Sequence, residues 1–139
     1  ERFFGGRERR KRTFQFDGRA TIEDVKGRIK KLHGKGFIYI FFGYKGKERP
    51  CFYVGRTRGS GGRIAEHPGV LRRNRVTQLK VFKVKNRREL GAAECLAIHG
   101  YAPLENGVKS AHPRMGVKCY ICRRIRKAWR EFRPLVSFG

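Results

Sequence analysis

Two short runs of apolar and aromatic residues, 36–42 and 51–57, are the most regular segments of the chain. Both runs are rich in β-branched and aromatic side chains, carry one tyrosine each, and are bordered by glycine. The segment between them, 43–50, combines turn-forming residues with charge, as expected for an exposed loop. The pattern therefore predicts an antiparallel β-hairpin over about residues 37–54.

The remaining apolar spacing predicts two further strands and three helices. Phe14 and Phe16 alternate with polar neighbours, and this alternation predicts a strand at 13–17; a second strand is expected at 78–85. Thr21 and Asn86 are N-cap candidates and Gly34 and Gly100 are stops, so helices are expected over about 22–33 and 86–98. Apolar residues that share one helical face predict a third helix at 120–132. The segments between these elements are expected to be one or two helical turns at 63–67 that Pro68 ends, a basic loop at 69–77 and a turn at 102–107.

The charge of the chain points to a polyanionic partner. Its 139 residues suit about one domain, 13–139, preceded by a basic arm, 1–12. Thirty-five Lys and Arg against eleven Asp and Glu give a formal charge of +24, which repels itself unless an anion neutralises it. Nucleic acid is thus the first partner to consider.

A membrane is a poor second partner. The aromatic residues lie in β-like runs instead of a basic amphipathic helix, and no apolar run approaches the length of a membrane span. Nothing at the start resembles a signal peptide, so we expect a soluble chain. Its start at Glu1 instead of Met is consistent with an excised domain or a processed product.

The four cysteines do not have the spacing of a disulfide scaffold, and we expect reduced thiols. Cys119 and Cys122 form half of a zinc-ribbon signature, for which His112 and Cys51 are conceivable further ligands. The second C-x-x-C pair is missing, so zinc is not expected. Small buried cysteines at the start of a helix are the simpler interpretation.

Glu94 is the most distinctive candidate for chemistry when residues are taken singly. A carboxylate among small residues of a helix is unfavourable to bury unless a cation or a metal neutralises it, although an exposed glutamate paired with an arginine is simpler. The other candidates also have plain structural interpretations: half-buried strand residues for Tyr39 and Tyr53, a solvated face for Arg63 and His67, and a turn residue for Asn106.

Taken together, these residues occur in an order that resembles the GIY-YIG nuclease family. The matching order is Ile38-Tyr39-Ile40, Tyr53-Val54-Gly55, Arg63 eight residues after that glycine, His67 four residues further, Glu94 on a later helix, and Asn106 after a proline. The resemblance covers about 36–106, roughly half of the chain. Three departures accompany it: one extra residue between Gly36 and Tyr39, Val54 in place of isoleucine, and a glycine-rich insert at 59–62.

The resemblance implies an α/β (α+β) fold with a small three-stranded, mainly antiparallel sheet flanked by helices. It also implies a metal-dependent DNA endonuclease that leaves 5′-phosphate and 3′-hydroxyl ends. In this scheme Glu94 binds Mg²⁺, or Mn²⁺, which polarises the scissile phosphate. The other roles would be deprotonation of the attacking water by Tyr39, assisted by Tyr53 or His67, charge neutralisation by Arg63 and Arg56, and hydrogen-bonding support by Asn106.

Arg56 and basic residues outside this set are expected to contact the phosphates of a DNA duplex without reading its sequence. They comprise the basic arm, Arg56, Arg58, Arg72, Arg73, Arg75, Arg123, Arg124 and Lys127. One site cuts one strand, so cleavage of both strands would require a homodimer or two successive encounters.

A non-catalytic basic nucleic-acid binder, ribosome-associated or architectural, is the alternative, because it explains the charge without any chemistry. Within the nuclease hypothesis, the chain could be the cutting module of a mobile element, a restriction or repair enzyme, or a toxin domain delivered into a target cell. DNA and RNA remain open as substrates.

Overall fold

The computed structural model describes residues 11–32, 36–58, 68–84, 86–106 and 119–132. Four strands and four helices lie in these segments. The strands are β1 (Lys11–Gln15), β2 (Phe37–Tyr44), β3 (Cys51–Thr57) and β4 (Arg75–Lys83). The helices are α1 (Ile22–Lys30), α2 (Pro68–Arg73), α3 (Leu90–Tyr101), which follows a 3-10 turn at Arg87–Glu89, and α4 (Tyr120–Phe132).

The strands form one antiparallel sheet in the order β1-β4-β2-β3. An α+β fold with a mainly antiparallel sheet is thereby confirmed, but the sheet has four strands instead of three. The additional strand is β1, which pairs with the outer edge of β4. It begins at Lys11, so the last two residues of the predicted basic arm belong to the sheet. Residues 1–10 of that arm lie outside the described residues.

The predicted hairpin is present as β2 and β3, and β2 lies at the centre of the sheet because it also pairs with β4. Two irregularities interrupt the ladders of β2, one on each side of Phe42. A Cβ atom at Gly43 would overlap the carbonyl group of Arg75, so glycine allows β2 and β4 to stay close at this bulge.

One face of the sheet packs against α1 and α2. Thr21 caps α1 as predicted: its side chain accepts from the Asp24 amide, and the Asp24 carboxylate accepts from the Thr21 amide. These hydrogen bonds hold the pKa of Asp24 below its ordinary value. Val25 and Ile29 of α1 join Phe37, Tyr39 and Phe41 of β2 in a buried cluster. The cluster also contains Phe52, Val70, Leu71, Val76, Leu79 and Val81.

The opposite face packs against α3. Ile38, Ile40 and Val54 of the sheet form a second buried cluster with residues of the helix, among them Leu90, Ala93, Ala97 and Ile98. Alternation along β2 therefore divides its side chains between two cores. The helix begins at Leu90 instead of about 86 and runs past its predicted end at about 98, and past Gly100, to Tyr101; Ala102 follows in the left-handed conformation with φ 47°.

The expectation of a basic loop at 69–77 is wrong. Residues Pro68–Arg73 form α2, and β4 begins at Arg75. Val70 and Leu71 are buried and anchor the helix, while the surrounding arginines hide this short apolar pair in the sequence. Pro68 lies at the start of the helix, where its missing amide hydrogen is tolerated.

The fourth helix, α4, has the predicted bounds Tyr120–Phe132. Arg123, Arg124 and Lys127 are exposed on its surface. Among the helices that the structure describes, none is long and apolar enough to cross a membrane.

A close cross-strand approach fixes the pairing of β2 with β3. Tyr39 lies directly opposite Gly55, and a Cβ atom at Gly55 would overlap the Tyr39 ring and its hydroxyl. Only glycine leaves room for this ring, which is 1% exposed. The glycine of the Tyr53-Val54-Gly55 motif thus has a steric role in the fold.

We expect Gly55→Ala to destabilise the fold by about 1–3 kcal/mol, because the added methyl group would displace a fully buried ring. Denaturant unfolding followed by circular dichroism would measure the change. Gly27→Ala in α1 is the matched control, since nothing lies within 4 Å of its added Cβ and alanine favours a helix by up to about 1 kcal/mol. Equal stability of Gly55→Ala and the wild type would contradict the steric role of Gly55.

Candidate active site

Tyr39 and Tyr53 lie close together on the sheet. Their ring centroids are 6.3 Å apart, and each ring also neighbours Phe41, at 5.5 Å from Tyr39 and 6.3 Å from Tyr53. Tyr39 is almost completely buried, whereas Tyr53 is half-buried at the border of the same cluster. Of the two tyrosines, Tyr53 is therefore the better placed to meet solvent.

Glu94 lies on α3 and is 8% exposed, one of two buried polar residues in the described part of the chain. Arg56 of β3 approaches it, with 4.0 Å between Arg56 Nε and Glu94 Oε1. Gly91, one turn before Glu94, makes space for this arginine, because a Cβ atom there would lie 2.6 Å from Arg56 Nη1. The exposed glutamate considered from the sequence is thus a buried carboxylate beside an arginine.

The tyrosine pair and the Arg56–Glu94 pair lie on opposite faces of the sheet. Residues that face each other across an antiparallel ladder project to the same side. Tyr39 lies opposite Gly55 and Phe41 opposite Tyr53, on the face covered by α1 and α2. Arg56 lies opposite Ile38, on the face covered by α3.

Asn106 holds the outer edge of β3. Its side-chain Oδ1 accepts from the Val54 amide at 2.9 Å, and its Nδ2 donates to the Val54 carbonyl at 2.8 Å. The preceding backbone continues this contact, since Leu104 donates to the carbonyl of Cys51 and Glu105 to that of Phe52. The segment 104–106 therefore covers the edge of β3 as an additional strand would.

Three consecutive residues of β3 connect most of the candidate residues. Val54 is held by Asn106, Gly55 packs under Tyr39, and Arg56 approaches Glu94. These partners are separated in sequence by up to 67 positions, from Tyr39 to Asn106. Arg63 and His67, together with the helical turns expected at 63–67, lie outside the described residues.

Comparisons of the chain with protein-family models, with curated proteins and with solved structures found no match.

The residues expected to contact phosphate differ in their surroundings. Arg58, Arg72, Arg73, Arg75, Arg123, Arg124 and Lys127 are exposed, and Arg56 is half-buried. Arg73 is engaged within the protein, because its Nε and Nη2 donate to Glu105 Oε1 at 2.9 and 2.7 Å. The other oxygen of Glu105 accepts from Asn74. Arg75 lies 5.7 Å from the centre of the Tyr44 ring, and such a contact still leaves its charge available to an anion.

A second group of ligand-type side chains joins α3 to α4. Cys95 and His99 on α3 lie beside Cys119 and Cys122 at the start of α4, and one ligand atom from each lies within 4.8 Å of all the others. The sequence indicates Cys119 and Cys122 as possible metal ligands, but Cys95 and His99 were not among the candidates. The available signal was their spacing of four residues on one predicted helix.

The two other ligands considered from the sequence are not part of this group. Cys51 lies in the core beneath α3, where burial raises the pKa of its thiol to about 12. His112 lies outside the described residues. Within the group itself, burial raises the pKa of the Cys95 thiol.

We expect Asn106→Ala to lower the free energy of unfolding by about 1–3 kcal/mol, because the variant cannot make either Val54 hydrogen bond at this half-buried edge. Asn106→Asp should also destabilise the protein, since one oxygen can still accept from the Val54 amide while the other faces a carbonyl. Denaturant unfolding would measure both changes. Asn86→Ala is the control, because Asn86 is exposed and its side chain accepts one hydrogen bond, from the Arg88 amide. A destabilisation no larger than that of the control would show that Asn106 does not hold β3.

Proposed function

We propose that the protein is a metal-dependent endonuclease similar to GIY-YIG nucleases, which hydrolyses DNA to leave 5′-phosphate and 3′-hydroxyl ends. The observation that supports it best is the contact of residues 54–56 with Asn106, Tyr39 and Glu94. Tyr39, Val54, Gly55, Glu94 and Asn106 all belong to the motif order, which does not itself require contacts between such distant positions. The sheet order, with the hairpin strands beside β4 and α3 packed on one face, is compatible with the proposal.

Glu94 suits a hard cation such as Mg²⁺ or Mn²⁺. Its carboxylate supplies oxygen ligands, and Mg²⁺ commonly uses one or two carboxylates together with water and substrate phosphate. When bound there, the ion would polarise the scissile phosphate. Arg56, 4.0 Å from Glu94, is placed to offset the additional negative charge of a bound phosphate.

The hydrolysis requires a base for water and a proton for the leaving group. A water oxygen would bond to phosphorus while the bond between phosphorus and O3′ breaks, which yields the 5′-phosphate and the 3′-hydroxyl. His67 would take the proton of the water and solvent water would protonate O3′, whereas Tyr53 lies on the face of the sheet opposite to Glu94. Tyr39, at 1% exposure, is better suited to supporting the site through its packing on Gly55.

Substrate would approach β3 from the α3 face, where Arg56 lies beside Glu94. Gly55 to Arg58 lead directly into the segment that carries Arg63 and His67. Exposed cations on α2 and α4 would hold a duplex by its phosphates. One such site cuts one strand, so a double-strand break would require two copies or two encounters.

We expect Glu94→Gln to lower metal-dependent nicking of supercoiled plasmid by about a hundredfold or more, because the metal loses its carboxylate ligand. DNA binding, measured by fluorescence anisotropy in EDTA, should change little. Glu89→Gln, just before α3, is the matched control, since it removes the same charge outside the buried pair. Undiminished nicking by Glu94→Gln in a preparation free of contaminating nuclease would exclude Glu94 as the metal ligand.

A non-catalytic nucleic-acid binder is the second candidate. The exposed cations of α4, together with the formal charge of +24, would explain DNA or RNA binding with no chemistry. The two functions are distinguished by incubating plasmid DNA and a labelled RNA with the protein, in Mg²⁺ and in EDTA. Binding without any product that depends on the metal would favour the second candidate.

Both candidates predict that α4 binds phosphates. We expect replacement of Arg123, Arg124 and Lys127 by Gln to make the DNA-binding constant less sensitive to salt. The slope of its logarithm against the logarithm of salt concentration should decrease in magnitude by about 0.9 for each phosphate that the variant no longer neutralises. A titration at several salt concentrations would measure the slope. The control variant replaces Lys30, Lys31 and Lys47 by Gln; these residues are exposed at the end of α1 and in the hairpin loop, so the same charge is removed elsewhere. Equal slopes for the two triple variants would show that α4 does not bind phosphates specifically.

A further inference from the structure

The four side chains that join α3 to α4 have the spacing of a tetrahedral metal site. Cys122 Sγ lies 3.3 Å from Cys95 Sγ and 3.1 Å from His99 Nε2, and Cys95 Sγ lies 3.6 Å from His99 Nε2. Two thiolates at about 2.3 Å from a tetrahedral zinc ion are separated by about 3.8 Å. The distances within the group, which reach at most 4.8 Å, bracket this value.

A disulfide does not account for this arrangement. The Sγ atoms of Cys95 and Cys122 are 3.3 Å apart, compared with about 2.05 Å in a disulfide, and no disulfide joins any of the three cysteines. Simple packing of small cysteines also leaves one feature unexplained. The His99 ring places a polar nitrogen beside two sulfur atoms, which an apolar contact does not require.

The surroundings favour thiolates once a cation is present. Cys95, Cys119 and Cys122 are each 0% exposed, so a bound ion would be shielded from water. Cys119 immediately precedes α4 and Cys122 lies in its first turn, where the helix dipole stabilises negative charge. Arg123 and Arg124 follow directly and would offset the net charge of −1 on a zinc ion bound by three thiolates and one neutral imidazole.

We propose that Cys95, His99, Cys119 and Cys122 bind one Zn²⁺ ion, which holds α4 against α3 as a structural site. Three sulfur ligands and one imidazole nitrogen select zinc over Mg²⁺, which prefers oxygen ligands. With four protein ligands the site is closed, so it has no open position for a substrate. This replaces the expectation from the sequence that zinc is absent, which rested on the missing second C-x-x-C pair.

The zinc would determine where the cationic helix lies. Ile121 is the described hydrophobic side chain of α4 that packs on this group, so the described contact between α3 and α4 rests largely on sulfur atoms. Cys95 is the neighbour of Glu94 in α3. The site would therefore fix Arg123, Arg124 and Lys127 relative to the helix that carries the candidate metal ligand of the nuclease. The zinc inference itself does not depend on that nuclease.

Metal content is the direct test. We expect the full chain, purified without chelator, to contain about one zinc per molecule by mass spectrometry of the metal. Cys95→Ser and Cys122→Ser should lose most of it. Cys51→Ser is the matched control, because Cys51 is also buried but lies outside the group. Full zinc content in both cluster variants would overturn the proposal.

Cobalt substitution keeps the test valid if a cluster variant fails to fold. The wild-type chain exchanged with Co²⁺ should show sulfur-to-cobalt charge-transfer bands and intense visible bands of tetrahedral cobalt. His99→Cys should retain one metal per chain with a shifted spectrum, since a fourth thiolate can replace the imidazole. A wild-type chain that is folded and holds neither zinc nor tetrahedral cobalt, or that contains a Cys95–Cys122 disulfide by mass spectrometry, would overturn the site.

Discussion

The packing of the Tyr39 ring on Gly55 is the constraint on which the rest of the structure depends. Because side chains alternate along a strand, shifting β3 by one residue would exchange its two faces. Arg56 would then leave α3, and the amide and carbonyl of Val54 would no longer meet Asn106 in the same geometry. A single steric fit, available only to glycine, therefore fixes both the tyrosine pair and the buried glutamate pair.

The segment that follows α3 also holds the edge strand β3 in place. Asn106 and its two neighbours cover β3, while Glu105 reaches back to Arg73 and Asn74 at the end of α2. This segment thus connects the edge of the sheet with the helix on the face opposite to α3. The arrangement explains why a residue that the sequence places in a turn has a structural role. Its hydrogen bonds are made to a strand 52 positions away.

The sequence predicts the elements whose signal is local. The hairpin, α1 with its Thr21 cap, and α4 follow from spacing and capping within a few residues. The short helix α2 was missed because Val70 and Leu71 are too few to give a period, and only burial against the sheet stabilises them. For the candidate site, the sequence predicts which residues take part but not how they are arranged. Motif order identified Glu94 and Asn106, but the face that each residue occupies depends on strand register, which is a property of the whole sheet.

The proposed zinc ligands also could not be predicted from a local sequence pattern. Cys95 and Cys119 are 24 positions apart, so no local pattern joins them. A helix with several exposed cations is repelled by the rest of a chain with a charge of +24, and described hydrophobic contacts at its start are few. A zinc site supplies the missing attachment with directed bonds and adds negative charge where cations are concentrated. Glu94 directly precedes the zinc ligand Cys95 but offers only oxygen atoms. Soft sulfur ligands would therefore select zinc, and the hard carboxylate would select Mg²⁺.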